Sequence, residues 1–156
     1  LALGAVAGAK EVVAETGEPE RRVFLVTGDG AFGFYPAELD SAAKAGLPFL
    51  CVISNNGGWG NEIYVQPRQV GRTINAHFGE VRYDKVAEGF GAAGLRVEAL
   101  ADLGPVLDKA FAISDQPVVV DVMTDDSGAL DPITSTLHYH DVEDTRTKHF
   151  GGDKPA

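Results

Sequence analysis

The sequence predicts an α/β domain, with a mainly parallel, doubly wound sheet, helices on both faces and an irregular C-terminal tail. Three observations predict it. Short continuous apolar runs recur at Val23-Phe24-Leu25-Val26, Phe49-Leu50-Cys51-Val52-Ile53 and Val118-Val119-Val120-Asp121-Val122-Met123. Runs of this length, apolar on both faces, suit strands buried in a parallel sheet. Segments with helical spacing separate the runs, and strands alternating with helices make a parallel sheet. Glycines gather beside acidic and amide residues just after the apolar runs, where loops approach ligands closely.

Each element follows in chain order. The chain opens on Leu1-Ala2-Leu3-Gly4-Ala5-Val6, with no methionine and no basic segment ahead of it. Lys10 and Glu11 stand where a leader peptide would carry its cleavage site, so the stretch reads as an alanine-rich helix over residues 2–16, capped by Gly17. An opening inside a helix suggests processing, a fragment, or one piece of a larger assembly. After the first strand, Pro36 suits the first turn of a helix. Leu39, Ala42 and Ala43 share one face of that helix, and Gly46 and Pro48 stop it. The second apolar run is the next strand. Tyr83, Val86, Ala87 and Phe90, at i, i+3, i+4 and i+7, mark another helix, and Leu95-Arg96-Val97 a short strand. Leu103, Val106, Leu107, Ala110 and Phe111 form the clearest amphipathic stripe, with Asp102 as its N-cap. The third apolar run closes the domain, over residues 1–124. Residues 125–156 hold three of the four histidines and no regular apolar period, which predicts a tail or a lid.

Composition narrows the function. A net charge of −10 argues against DNA or another polyanion as partner. A single cysteine, Cys51, inside an apolar run reads as a reduced core residue and excludes a disulfide framework. No apolar stretch approaches the length of a membrane span, and the expected location is cytoplasmic. His138, His140 and His149 lack the helical i, i+4 spacing of a metal pair, and His77 reads as a solvated loop residue.

The chemistry sits at two strand ends. The first strand runs into Gly28-Asp29-Gly30 and the second into Asn55-Asn56-Gly57-Gly58. A strand–helix–strand unit makes the two strands parallel, so both loops emerge at the same carboxyl edge, where open α/β sheets bind ligands. Asp29 and Asn56 thereby converge from 27 positions apart. Their donors to a metal are oxygens, which suits a hard cation such as Mg²⁺. One carboxylate, one amide oxygen and one backbone carbonyl cannot fill an octahedron, so water and an anionic ligand must complete it. A helix beginning after Gly30 favours phosphate. A carboxylate beside a diphosphate needs a cation between them, so the constellation predicts a Mg²⁺-bridged diphosphate.

Gly28-Asp29-Gly30, then 24 residues, then Asn55-Asn56 resembles the GDG…NN motif of thiamine diphosphate enzymes. Pro36-Ala37-Glu38-Leu39 and Ala45-Gly46-Leu47-Pro48 are also similar to the acetolactate synthase, benzoylformate decarboxylase and 2-hydroxyacyl-CoA lyase group. The similarity runs from residue 1 to about residue 124 and corresponds to the C-terminal, diphosphate-binding domain. The resemblance implies thiamine diphosphate and Mg²⁺ as cofactors, with Asp29, the Asn56 side chain and the Gly58 carbonyl as metal ligands. It implies that Gly28, Gly30 and Ala31 lie along the diphosphate. The segment from Trp59 through Gly60 to Tyr64 would flank the cofactor or substrate, although Trp59 also reads as a packed loop aromatic and Tyr64 as packing. It implies, too, that the activating glutamate stands on a pyrimidine-binding domain, which no segment here resembles. The family's glycine-rich lead-in before the first helix is missing as well.

The expected protein is therefore the diphosphate-binding part of an enzyme that cleaves or forms a carbon–carbon bond next to a carbonyl. It would be of 2-hydroxyacyl-CoA lyase or 2-oxo acid decarboxylase type. Its partner is a pyrimidine-binding domain or subunit, its substrate a small 2-oxo acid or 2-hydroxyacyl-CoA. Its assembly is a dimer or tetramer, of like or unlike chains. An acetolactate synthase-like carboligase and a non-catalytic scaffold subunit are the alternatives. Gly28-Asp29-Gly30-Ala31-Phe32-Gly33 also spells a dinucleotide-binding string, which would leave Asp29 beside a pyrophosphate without a metal and the Asn-Asn loop without a role.

Overall fold

The structure, a computed structural model, describes residues 2–19 and 21–125, the side chain of residue 68 excepted. The expected tail or lid, with His138, Tyr139, His140 and His149, lies outside the described residues. In chain order the elements are α1 (Ala2–Thr16), β1 (Phe24–Gly28), α2 (Asp29–Phe32), α3 (Glu38–Lys44), β2 (Leu50–Asn55), α4 (Gly60–Val70), α5 (Tyr83–Gly89), β3 (Ala93–Val97), α6 (Leu100–Ala112) and β4 (Val118–Met123). The four strands form one parallel sheet in the order β1-β2-β4-β3.

Two apolar cores lie on the two faces of the sheet. Cys51 and Ile53 of β2 and Val119 of β4 face one core, with Val6 of α1, Leu39 and Ala42 of α3, and Tyr83 and Ala87 of α5. Leu50 of β2 and Val118 and Val120 of β4 face the other, against Ala110 and the Leu103, Val106, Leu107 stripe of α6. Strand alternation sends successive side chains to opposite faces, so the unbroken apolar runs of β2 and β4 feed both cores. Each fully buried aliphatic side chain contributes about 1.5–3 kcal/mol. Cys51 is buried and free, and burial pushes its thiol up to about 12.

The helix over residues 2–16 is present and ends as expected, with Gly17 at φ 69° donating its N–H to the Val13 carbonyl at 2.9 Å. Three expectations need correction, and one helix was missed. β1 lies at an edge of the sheet and is buried on one face only. Phe24 and Val26 are exposed by 49% and 63%; among the described residues α6 reaches that side with the Phe111 ring, which stacks on Phe24. Pro36 precedes α3 instead of opening it, accepting the Leu39 N–H in the turn before. Asp102 does not cap α6, which starts from Ala99; the carboxylate stands in the first turn, where it meets the positive end of the helix dipole. α4 was not foreseen, because Pro67 and a scattered apolar pattern conceal it.

Arg22 ties β1 to α6. Its guanidinium donates to the Ala110 carbonyl at 3.0 Å and to the carbonyls of Phe111 and Ile113, and lies 5.4 Å from the Phe111 ring centre. Phe24 stacks on the same ring at 6.1 Å.

Candidate functional site

The two motif loops leave neighbouring strands at the same level. Gly28, the last residue of β1, pairs with Ser54 in the sheet register, and β2 ends one residue later. Backbone hydrogen bonding alone therefore brings Gly28-Asp29-Gly30 beside Asn55-Asn56-Gly57-Gly58. Asp29 opens α2 directly. α2 is a single turn, not the longer helix expected after Gly30, so any phosphate contact there comes from local N–H groups and not from a helix dipole.

Asp29 is 3% exposed. Its Oδ1 accepts the Gly30 N–H at 2.9 Å and its Oδ2 the Gly58 N–H at 2.9 Å, so one carboxylate bridges both loops. Burial pushes its carboxyl above the ordinary aspartate value, and the N–H groups of Gly30, Gly58 and Gly57 oppose that push. One end of the Asn56 amide lies 3.2 Å from Asp29 Oδ1 and 2.9 Å from the Gly58 carbonyl oxygen. With nitrogen at that end, the amide donates to both. With its oxygen there, three oxygens face one another, an arrangement that a bound cation favours. Asp29, Asn56 and Gly58 thus come together.

The loop after β2 is held from its far side. Gly58 forms an antiparallel bridge with His77, Trp59 donates to the Ala76 carbonyl at 2.8 Å, and Phe78 donates to the Gly57 carbonyl at 2.7 Å. A Cβ on Gly58 would stand 2.3 Å from the Ala76 oxygen, so the close approach demands glycine. Nothing in the sequence pattern pointed to segment 76–78 as part of the site. His77 is exposed, as expected of a loop residue.

Trp59 packs its six-membered ring against Gly30, 2.8 Å from where a Cβ would stand. It also meets Phe34 at 5.3 Å and Phe78 at 5.6 Å between ring centres. The packed-aromatic reading of Trp59 therefore describes its contacts. Gly60 opens α4 with its Cα beside the Asn56 amide. Gly28 and Ala31 are exposed, and a Cβ on Gly28 would meet nothing within 4 Å. Tyr64 is in α4 and is partly buried.

Sequence reasoning missed a group behind the loops: Asn55, Tyr83, Arg96 and Asp121. Asp121 is fully buried in β4. The signal was present, since a carboxylate inside an apolar strand run needs buried partners.

Comparison with known proteins agrees with this geometry. The family model described as "Thiamine pyrophosphate enzyme, C-terminal TPP binding domain" matches residues 1–122. The acetolactate synthase large subunit IlvG of Mycobacterium tuberculosis is 40% identical over 119 residues, covering 76% of this chain and 22% of that protein. The putative thiamine pyrophosphate-containing protein YdaP of Bacillus subtilis is 38% identical over 112 residues, covering 72% of this chain and 19% of that protein. The structure of the Rhodococcus jostii RHA1 thiamine diphosphate-dependent 4-hydroxybenzoylformate decarboxylase superposes with a TM-score of 0.62 at 29% identity. It covers 73% of this chain and 22% of that one. The chain spans about a fifth of the length of these relatives. It belongs to the thiamine pyrophosphate enzymes, as their C-terminal, cofactor-binding domain.

Proposed function

We propose that this chain holds the diphosphate of thiamine diphosphate through Mg²⁺ bound by Asp29, the Asn56 side-chain oxygen and the Gly58 carbonyl. The observation that carries the reading is the approach of the Asn56 amide to within 3.2 Å of Asp29 Oδ1 and 2.9 Å of the Gly58 oxygen. A buried carboxyl pushed upward gains more from a dication than an exposed one does, because little water competes for it. Gly28, Gly30 and Ala31 line the diphosphate, the open side of Gly28 leaving room for it. Trp59 and Gly60 flank the cofactor. Water and the diphosphate oxygens complete the octahedron.

When bound, the cofactor supplies the nucleophilic carbon and the electron sink for chemistry beside a carbonyl; this chain anchors and orients it. The whole protein then cleaves or forms a carbon–carbon bond there, with a pyrimidine-binding domain or subunit supplying the activating glutamate. A 2-oxo acid decarboxylase agrees with the Rhodococcus structure. A carboligase of acetolactate synthase type agrees equally with the mycobacterial relatives. The 2-hydroxyacyl-CoA lyase branch rests on the tail beyond residue 125. The dinucleotide reading is set aside, because the family match and the single-turn α2 both disfavour it.

Asp29→Ala tests the site. Calorimetric titration with thiamine diphosphate and Mg²⁺ should show binding to the unsubstituted protein and none to the variant. Equal binding by both would overturn the assignment.

A further inference from the structure

Asp121 stands at the centre of the sheet, facing Ile53 of β2 and Arg96 of β3 in register. A fully buried carboxylate is tolerated only when its oxygens are satisfied. The groups that satisfy this one lead to the two cofactor loops. Asn55 Nδ2 donates to Asp121 Oδ1 at 2.9 Å and to the Val81 carbonyl at 3.1 Å, while Asn55 Oδ1 accepts the Gly57 N–H at 3.1 Å. The Tyr83 N–H donates to Asp121 Oδ2 at 3.2 Å, and the Tyr83 hydroxyl donates to the Asp29 backbone carbonyl at 3.4 Å. Arg96, 8% exposed in its side chain, donates Nη1 to Asp121 Oδ2 at 2.8 Å and is held in turn by Glu98 and Glu80.

These bonds close a ring. From Asp121 one arm runs through Asn55 to Gly57 and Gly58. The other runs through Tyr83 to Asp29. The arms meet where the Gly58 N–H donates to the Asp29 carboxylate. We propose that Asp121, acting through Asn55 and Tyr83, is a positioning residue that sets the spacing of the two loops and hence the affinity for the Mg²⁺–diphosphate pair. Arg96 supplies its counter-charge. The inference rests on the proposed cation site, since it is the geometry of Asp29, Asn56 and Gly58 that Asp121 governs. Asn55 suits this role because both its amide hydrogens and its oxygen are engaged. Its orientation, and with it the start of the loop, is thereby fixed by Asp121.

The test uses the complete protein and its Asp29→Ala, Asp121→Asn, Asn55→Ala and Asp121→Asn/Asn55→Ala variants. Calorimetry with Mg²⁺ and thiamine diphosphate gives affinity, and thermal melting without cofactor gives stability. Each single change at 121 or 55 should weaken binding about 10–100-fold, as loss of a partner behind a metal ligand does. The double variant should lose little beyond the weaker single, because both changes interrupt one route. Binding equal to that of the unsubstituted protein would overturn the inference, as would losses that multiply in the double variant. A lowered melting point with unchanged affinity of the folded fraction would overturn it too, because it marks a purely structural role. If Asp121→Asn fails to fold, Asn55→Ala decides alone, since it leaves Asp121 with Arg96 and the Tyr83 N–H. Asp29→Ala separates the two ideas. Retained binding there removes the cation site itself; lost binding there beside normal binding in Asp121→Asn removes only the positioning role.

Discussion

Gly58 shows how tightly single residues are specified at this site. Its N–H serves Asp29, its carbonyl faces Asn56, and the Ala76 oxygen fills the space a side chain would need. Gly58→Ala should therefore force the 57–59 loop off segment 76–78. We expect a loss of about 1–3 kcal/mol, the usual penalty of overpacking, read by urea denaturation. Weakened Mg²⁺ affinity in the same variant should accompany it. That Asp29, Asn56 and Gly58 meet was legible because a strand–helix–strand unit brings both strand ends to one edge of the sheet. Asp121 was not legible in the same way. Its partners come from β2, β3 and the start of α5, and a strand run read only for apolar content hides the one polar member that ties them together.

Among the elements, α6 has its C-terminal end secured from outside. The last carbonyls of a helix lack intrahelical partners, and here Arg22, a residue just ahead of β1, donates to those of Ala110 and Phe111 and to that of Ile113 just past the helix end. Its positive charge also suits the negative end of the helix dipole. Arg22→Ala should cost roughly 1–2 kcal/mol. Hydrogen exchange should quicken selectively at Ala110 and Phe111, while amides in the core of β4 keep their protection. Strands and helices with strong periodicity, such as α6 and β4, could be read directly. α4 could not, because Pro67 lies inside it and, among its described side chains, Val65 alone is firmly buried, so packing on one side and the loop before it decide its conformation. β1 misled in a different way: its apolar run is that of an inner strand, yet it ends the sheet.

As a molecule, the chain is the C-terminal, cofactor-binding domain of a thiamine pyrophosphate enzyme. In the proposed reading Asp29, Asn56 and Gly58 address a diphosphate, and the activating glutamate belongs to a pyrimidine-binding domain. The 156-residue chain should show no turnover of 2-oxo acids in a coupled assay, and a pyrimidine-binding domain from the same enzyme should restore it. Robust activity from the chain by itself would refute the divided site. Among the described residues no helix is long and apolar enough to cross a membrane. The exposure of Phe24 and Val26 among the described residues then acquires a colloidal meaning. At neutral pH the charge of −10 makes copies repel one another over about a nanometre in physiological salt. In mildly acid solution carboxylates take up protons and that repulsion fades, while the exposed Phe24 and Val26, on a strand at the edge of the described sheet, are unchanged. Acidification therefore weakens the barrier that keeps these apolar side chains of separate copies apart.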